Sequence, residues 1–224
     1  MIIVVIGPHG AGKSSLCHAL SKRLGIPYHV EIGEVLANSR QETAETALGQ
    51  FDLDVLAEER RRDNAWAKST KETKRSRIVE SWHPGNMAYL SARNPDMVSS
   101  LSQLTLKFVD EASNLAGQHV LAIHISASEA TLRARQHEEG SLGFFMTVGK
   151  LSEHWCTNLN IPVIARVCSD NQSPMELAEP IAQTLTTLMK EISLNKEVGA
   201  KDIEPSDAGY CTQGFLTFTY DEDR

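Results

Sequence analysis

The first 25 residues carry a pattern that few folds accommodate. Met1-Ile2-Ile3-Val4-Val5-Ile6 is an unbroken apolar run of strand length. Gly7-Pro8-His9-Gly10-Ala11-Gly12-Lys13-Ser14 follows at once, and Leu16, Leu20 and Leu24 then recur at the spacing of one helix face. A wholly apolar strand is one buried on both faces, and Gly25 suits a helix C-cap. The loop between them reads G-x-x-x-x-G-K-S, the Walker A pattern, in the strand–loop–helix context that gives the pattern its meaning. Gly7, Gly10 and Gly12 let the backbone wrap a polyphosphate and aim its N–H groups inward. The helix N-terminus adds partial positive charge. Lys13 offers a mobile cation to the β- and γ-phosphates, and Ser14 offers a hydroxyl to Mg2+. ATP and Mg2+ are the expected cofactors, held by Gly7, His9, Gly10, Ala11, Gly12, Lys13, Ser14 and Ser15. His9 either fills a variable position of the loop or touches the acceptor.

Apolar strand candidates recur along the rest of the chain: Tyr28 to Ile32, Ile78-Val79 closing at Glu80, Val120 to Ile125, and Pro162 to Val167. Helical patterns separate them. The expectation is a three-layer α/β/α fold around a five-stranded parallel sheet. Ser126-Ala127-Ser128-Glu129 and Ser173-Pro174-Met175-Glu176 read as capping boxes that open helices. About 45 residues separate the second and third strands, more than a plain crossover needs. Residues 37–75 are therefore read as a helical, acceptor-binding insertion. Residues 137–149 hold Gly140, Gly143 and Gly149 and are read as a mobile lid. Residues 1–192 make the expected catalytic domain, and residues 193–224 an acidic tail. Within that tail residues 214–220 alternate like a strand.

Charge and composition narrow the partners. The formal net charge is −7, with three basic and seven acidic residues from Ser193 onward; this disfavours nucleic acid as a partner. No apolar run is long enough to span a membrane. Cys17, Cys156, Cys168 and Cys211 are widely spaced with no C-x-x-C pair, as for reduced thiols in a cytoplasmic protein. The N-terminus lacks a basic leader and enters the first strand directly. A small-molecule acceptor is the expected partner, and a homodimer stays open.

In open α/β sheets ligands sit beyond the carboxyl ends of the strands. That rule nominates Glu31 and Glu34 after the second strand and Glu80 after the third. Glu80 is expected to serve Mg2+ or to take the acceptor's proton; its bland alternative is an exposed strand-end carboxylate. Glu31 and Glu34 either bind the acceptor or act as base, or are solvated turn residues. Arg133 and Arg135 precede the lid, and arginine suits forked contact with phosphate oxygens. Spaced i, i+2, only one of them should face inward, and Arg133 is preferred. Trp82 either stacks on a flat acceptor or packs in the core, and Tyr89 and Arg93 complete the expected acceptor contacts.

Together these residues resemble the nucleoside and nucleotide kinases, above all thymidylate and deoxynucleoside kinases. Gly7 to Leu16 is similar to their phosphate loop, and Leu24-Gly25-Ile26-Pro27-Tyr28 to their passage into strand two. Glu80-Ser81-Trp82 followed by Ala88-Tyr89, and Leu132-Arg133-Ala134-Arg135 before the lid, follow their layout over roughly residues 1–190. The resemblance implies a kinase that moves the γ-phosphoryl group of ATP to a nucleoside or nucleoside monophosphate. One departure stands out: Ser81 occupies the place where those families carry an arginine that contacts acceptor or phosphate. A non-nucleotide hydroxylated acceptor is the alternative, as is an ATP-binding switch. No D-x-x-G follows the third strand, and no N-K-x-D guanine motif follows the fifth.

Overall fold

A computed structural model describes residues 1–40, 49–69, 76–115, 119–135 and 142–199. Its five strands are β1 (Ile2–Ile6), β2 (Tyr28–His29), β3 (Arg77–Glu80), β4 (Val120–Ser126) and β5 (Val163–Cys168). They form one all-parallel sheet in the order β2-β3-β1-β4-β5. β1 lies at the centre, with every residue of Ile2–Ile6 fully buried, which is why its sequence shows no polar alternation. Ile2, Val4 and Ile6 face one apolar layer and Met1, Ile3 and Val5 the other. The chain goes from β1 to β2 and β3 on one side, and β4 and β5 lie on the other. The reversal of strand order places a crevice at the carboxyl end of β1.

Eight α-helices cover the sheet among the described residues: α1 (Lys13–Leu24), α2 (Ile32–Arg40), α3 (Gly49–Ser69), α4 (Trp82–Arg93), α5 (Val98–Leu115), α6 (Glu129–Arg135), α7 (Leu142–Asn158) and α8 (Pro174–Gly199). α1 ends at Gly25 in the left-handed region (φ 65°), whose N–H bonds Ser21 O at 2.9 Å, as a glycine C-cap requires. Leu16 and Leu20 of α1 pack with Leu177, Ile181 and Leu185 of α8 on one face of the sheet. α4 and α7 supply Met87, Leu90, Phe145, Val148 and Trp155 to the other.

Several local expectations shift. β2 is only two residues long, because Ile32 already begins α2. The Ser173–Glu176 box forms in both directions, Ser173 N to Glu176 Oε2 at 2.7 Å and Glu176 N to Ser173 Oγ at 3.3 Å. The box at Ser126 does not form, since Ser126 is still in β4. Ser128 caps α6 instead, accepting from Thr131 N at 3.2 Å. Residues 142–149, within the stretch read as a lid, form the first two turns of α7, with Leu142, Phe145, Val148 and Gly149 buried. The remainder of the expected lid and the strand-like 214–220 stretch lie outside the described residues, as do 41–48 and 70–75 of the insertion.

A buried polar network supports the β3 side. Asp63 of α3 accepts from Arg77 Nη2 at 2.5 Å and Trp82 Nε1 at 3.2 Å, and meets His83 Nε2 at 3.1 Å. Glu59, one turn earlier and fully buried, pairs with Arg62 and accepts from Asn86 Nδ2 at 3.4 Å. Next to this network His29 stands edge-on to Trp66, with ring centroids 5.1 Å apart. Burial, then Arg77 and Arg62, lower the His29 pKa to about 4 from the ordinary 6.5.

Two predictions concern stability. A Cβ at Gly7 would lie 2.0 Å from Ile125 O of β4, and Gly7 has φ +144°. Nothing flexible can yield there, so Gly7→Ala should cost about 3 kcal/mol or more, read as a lowered urea midpoint. For His29 the folded pKa lies below the unfolded one, so the unfolded chain binds more protons between about 4 and 6.5. Its contribution to stability is therefore full above pH 6.5 and falls as pH drops toward 4. Denaturation series at pH 7 and pH 4.5 should show a smaller loss in His29→Gln than in the wild type.

Candidate active site

The carboxyl ends of the strands present two adjoining cavities. The first, of about 390 Å3, is lined by the 9–15 loop together with Glu31, Glu34, Glu80, Arg135 and Ser169. Gly10 (φ 81°) and Gly12 (φ 96°) hold the loop in left-handed backbone, the conformation that turns successive N–H groups into one concavity. Lys13 opens α1, is 5% exposed, and reaches Pro8 O at 3.4 Å and Glu31 Oε2 at 3.9 Å. The cradle, the lysine and the start of α1 fit a triphosphate.

Ser14 and Glu80 stand together: Ser14 Oγ donates to Glu80 Oε1 at 2.9 Å. A hydroxyl and a carboxylate so joined are oxygen donors suited to Mg2+. The Tyr28 hydroxyl donates to the other oxygen, Glu80 Oε2. Burial and the Glu80 carboxylate push the Tyr28 phenol pKa up, so it stays protonated and remains a donor. Glu31, between β2 and α2, accepts from Ser81 Oγ at 2.8 Å. Ser81 thus has a part of its own, anchoring the carboxylate that lies nearest Lys13.

The two arginines of α6 separate. Arg133 folds back on Glu129 one turn earlier, at 2.6 Å, both exposed. Arg135 reaches over the loop: Nη1 donates to Gly10 O at 3.2 Å and Ser169 Oγ at 2.9 Å, and Nη2 to Ser169 O at 2.9 Å. The preference for Arg133 is therefore corrected to Arg135. A glutamate at i−4 captures Arg133, while Arg135 points along the helix end toward β5. Ser169 in turn donates to Ala11 O at 2.7 Å.

The second cavity, of about 290 Å3, is lined among others by Glu31, Glu34, Asp52, Asn86, Tyr89 and Arg93. Phe51 and Phe145 give it apolar walls. His9 lies against Phe145 (centroids 4.8 Å) and borders both cavities, as do Glu31 and Glu34. Burial, then Lys13, lower the His9 pKa, so the ring is neutral near pH 7. Arg93 pairs with Asp52, the two side chains 6% and 3% exposed, and Asn94 Nδ2 donates to Asp52 Oδ2 at 2.8 Å. The Arg93 guanidinium also lies 5.1 Å from the Tyr89 ring centroid. Trp82 is absent from both cavities. It is fully buried in the core with its N–H on Asp63, so the acceptor-stacking expectation for it is withdrawn. Tyr28, Ser81, Asp52 and Ser169 border these groups in addition to the residues that the sequence nominates. The carboxyl-end rule, applied to the residue after β5, would have found Ser169. Asp52 carried no local signal.

This sheet order with a glycine loop after the central strand defines a P-loop α/β protein, and its fold is that of the P-loop kinases. A family model described as AAA_28, an AAA domain, matches residues 2–139, and the chain belongs to that family. No curated protein matches it. Among solved structures it is similar to deoxyadenosine kinase from M. mycoides with products dCMP and dCDP bound: 16% identity, 84% of this chain and 100% of that one, TM-score 0.53. It is also similar to the YorR protein of Bacillus subtilis in complex with phosphorylated GDP, at 16% identity over 85% and 98% of the two chains, TM-score 0.53. Shikimate kinase from Acinetobacter baumannii, in complex with shikimate, matches at 12% identity over 83% and 93%, TM-score 0.52.

The split between the arginines is testable. Arg135→Ala, which removes the bonds to Gly10 and Ser169 at the rim of the loop, should lower ATP turnover by about 10²-fold or more. Arg133→Ala should stay within about twofold, as for an exposed helix pair. Steady-state ADP release by both variants is the measurement.

Proposed function

We propose that this chain is an ATP-dependent phosphotransferase that moves the γ-phosphoryl group of Mg-ATP to a small acceptor, most simply a nucleoside or nucleoside monophosphate. The observation that carries this reading is the pair of cavities that meet at Glu31, one built for phosphates and the other for an organic molecule. A protein that only hydrolyses or binds ATP has no need of the second.

In this reading the triphosphate lies in the 7–15 loop, with Lys13 and Arg135 beside the transferring group. Ser14 and Glu80 hold Mg2+, and Tyr28 keeps Glu80 in position. When bound, Mg2+ supplies charge neutralisation across the β- and γ-phosphates. The acceptor occupies the 290 Å3 cavity with its hydroxyl near Glu31. The hydroxyl oxygen forms the new P–O bond, the bond to the β-phosphate oxygen breaks, and Glu31 takes the hydroxyl proton. The carboxylate's bond from Ser81 and its closeness to Lys13 keep it in place for that transfer. ADP and the phosphorylated acceptor leave.

Other parts of the reading follow from sequence. Residues 1–192 carry the activity, and the acidic segment 193–224, whose first residues to Gly199 continue α8, is a tail. A cytoplasmic setting agrees with the free thiols Cys17, Cys156 and Cys168. No helix among the described residues is long and apolar enough to cross a membrane.

ADP release from Mg-ATP against a panel of nucleosides, nucleoside monophosphates and other hydroxylated metabolites tests the proposal. One compound should stimulate release strongly and appear phosphorylated by mass spectrometry. Lys13→Ala should then reduce turnover by about 10³-fold with an unchanged circular-dichroism spectrum. Glu80→Gln should depress turnover more than ATP affinity. Retained turnover in Lys13→Ala, or slow hydrolysis that no compound stimulates, would refute the kinase reading.

A further inference from the structure

The charges around the second cavity say what kind of acceptor it can take. Three carboxylates line it, Glu31, Glu34 and Asp52, and Arg93 is the single Lys or Arg among the described lining residues. That arginine is already matched. Its guanidinium donates to Asp52 Oδ1, and Asp52 is fixed from its other side by Asn94. A site that binds a phosphate or carboxylate needs forked cationic donors turned toward the ligand; here Nη2 of the fork is engaged by a buried carboxylate. Lys13 and Arg135 border the phosphate cavity but not this one.

The remaining lining is uncharged. Phe51, Tyr89 and Phe145 offer flat apolar faces, and Asn38 and Asn86 offer amide groups. Flat walls with a few hydrogen-bonding amides suit an aromatic ring carrying its own donors and acceptors. We infer that the pocket takes an uncharged, ring-bearing alcohol, a nucleoside in preference to its monophosphate, and that Glu31, Glu34 and the Asp52–Arg93 pair exclude acceptors bearing phosphate or carboxylate. This deepens the kinase reading and, for the identity of the acceptor, rests on it. It also gives Asp52 a role as a specificity-determining residue: it keeps Arg93 from serving as an anion clamp.

The test uses the full chain and nucleosides paired with their own 5′-monophosphates, read in two ways. With Mg-ATP, phosphorylated product is quantified by mass spectrometry. Without ATP, binding of each compound is measured by calorimetry. Nucleosides should exceed their monophosphates by about 100-fold in kcat/KM, the scale of a like-charge mismatch at a binding site, and should be the members that bind. A monophosphate that binds or turns over as well as its nucleoside overturns the inference and leaves the kinase reading intact. If no compound of either charge is phosphorylated, the kinase reading fails, and calorimetry still decides the pocket. Nucleosides bound with monophosphates rejected upholds the inference; monophosphates bound, or neither bound, overturns it. Asp52→Asn and the exposed Glu34→Gln should each narrow the preference about tenfold. Glu34→Gln carries this arm if the buried variant does not fold, and an unchanged ratio in the variants counts against the inference.

Discussion

The turn between β3 and α4 fixes the geometry of both cavities. Ser81 and Trp82, two consecutive non-glycine residues, hold φ of 60° and 47°. Backbone of this kind costs on the order of 1–3 kcal/mol per residue. Trp82 offsets much of it: its whole side chain is buried, worth about 2–3 kcal/mol, and its N–H finds Asp63. The Ser81 N–H is tied to Val5 O at 2.9 Å. One turn further on, Gly85 makes room, since a Cβ there would lie 2.4 Å from Ser81 Cβ. The strained turn sends Glu80 toward Ser14 and Tyr28 and Ser81 toward Glu31. An ordinary entry into α4 would not aim two adjacent residues at two different carboxyl-edge partners.

That turn needs a rigid base, and the Asp63 network provides it. Burial would push the Asp63 carboxyl up, but bonds from His83 and Arg77 hold it below the usual range. A buried ion pair of this kind contributes little net stability, since desolvation opposes its Coulomb gain. Its use here is geometric. Asp63 joins α3, the first residue of β3 and the first turn of α4 through one carboxylate, so the insertion helix that walls the second cavity is locked to the strand that positions Glu80. The two cavities are in this way parts of one rigid arrangement.

Most of what the sequence disclosed rests on local signals. The glycine loop, the burial of β1, the helix stop at Gly25 and the Ser173–Glu176 box are each written in a few adjacent residues, and the carboxyl-end rule reached Glu31, Glu34 and Glu80. Part of what it missed depended on distant partners. Trp82 goes to the core because Asp63, 19 residues earlier in another helix, receives its N–H. Arg133 and Arg135 differ in fate because Glu129 holds one and Ser169, beyond β5, holds the other. Three glycines near residues 140–149 suggested a flap, yet the spacing of Leu142, Phe145, Val148, Ser152 and Trp155 is that of one buried helix face, and this face outweighs the low helix propensity of Gly143 and Gly149.

Gly149 has a reason to be glycine that its helix does not supply. A Cβ there would lie 2.8 Å from Pro8 Cδ and 3.1 Å from Pro8 N, so α7 comes as close to the phosphate loop as a backbone can. One turn earlier Phe145 walls the acceptor cavity and packs against His9 of the same loop. Through these two contacts α7 joins the second cavity to the loop: the residue that walls the cavity and the residue that braces the loop lie four apart on one helix. The wall of the second cavity at Phe145 and the glycine loop at Pro8 and His9 are therefore held in one fixed relation by a single helix.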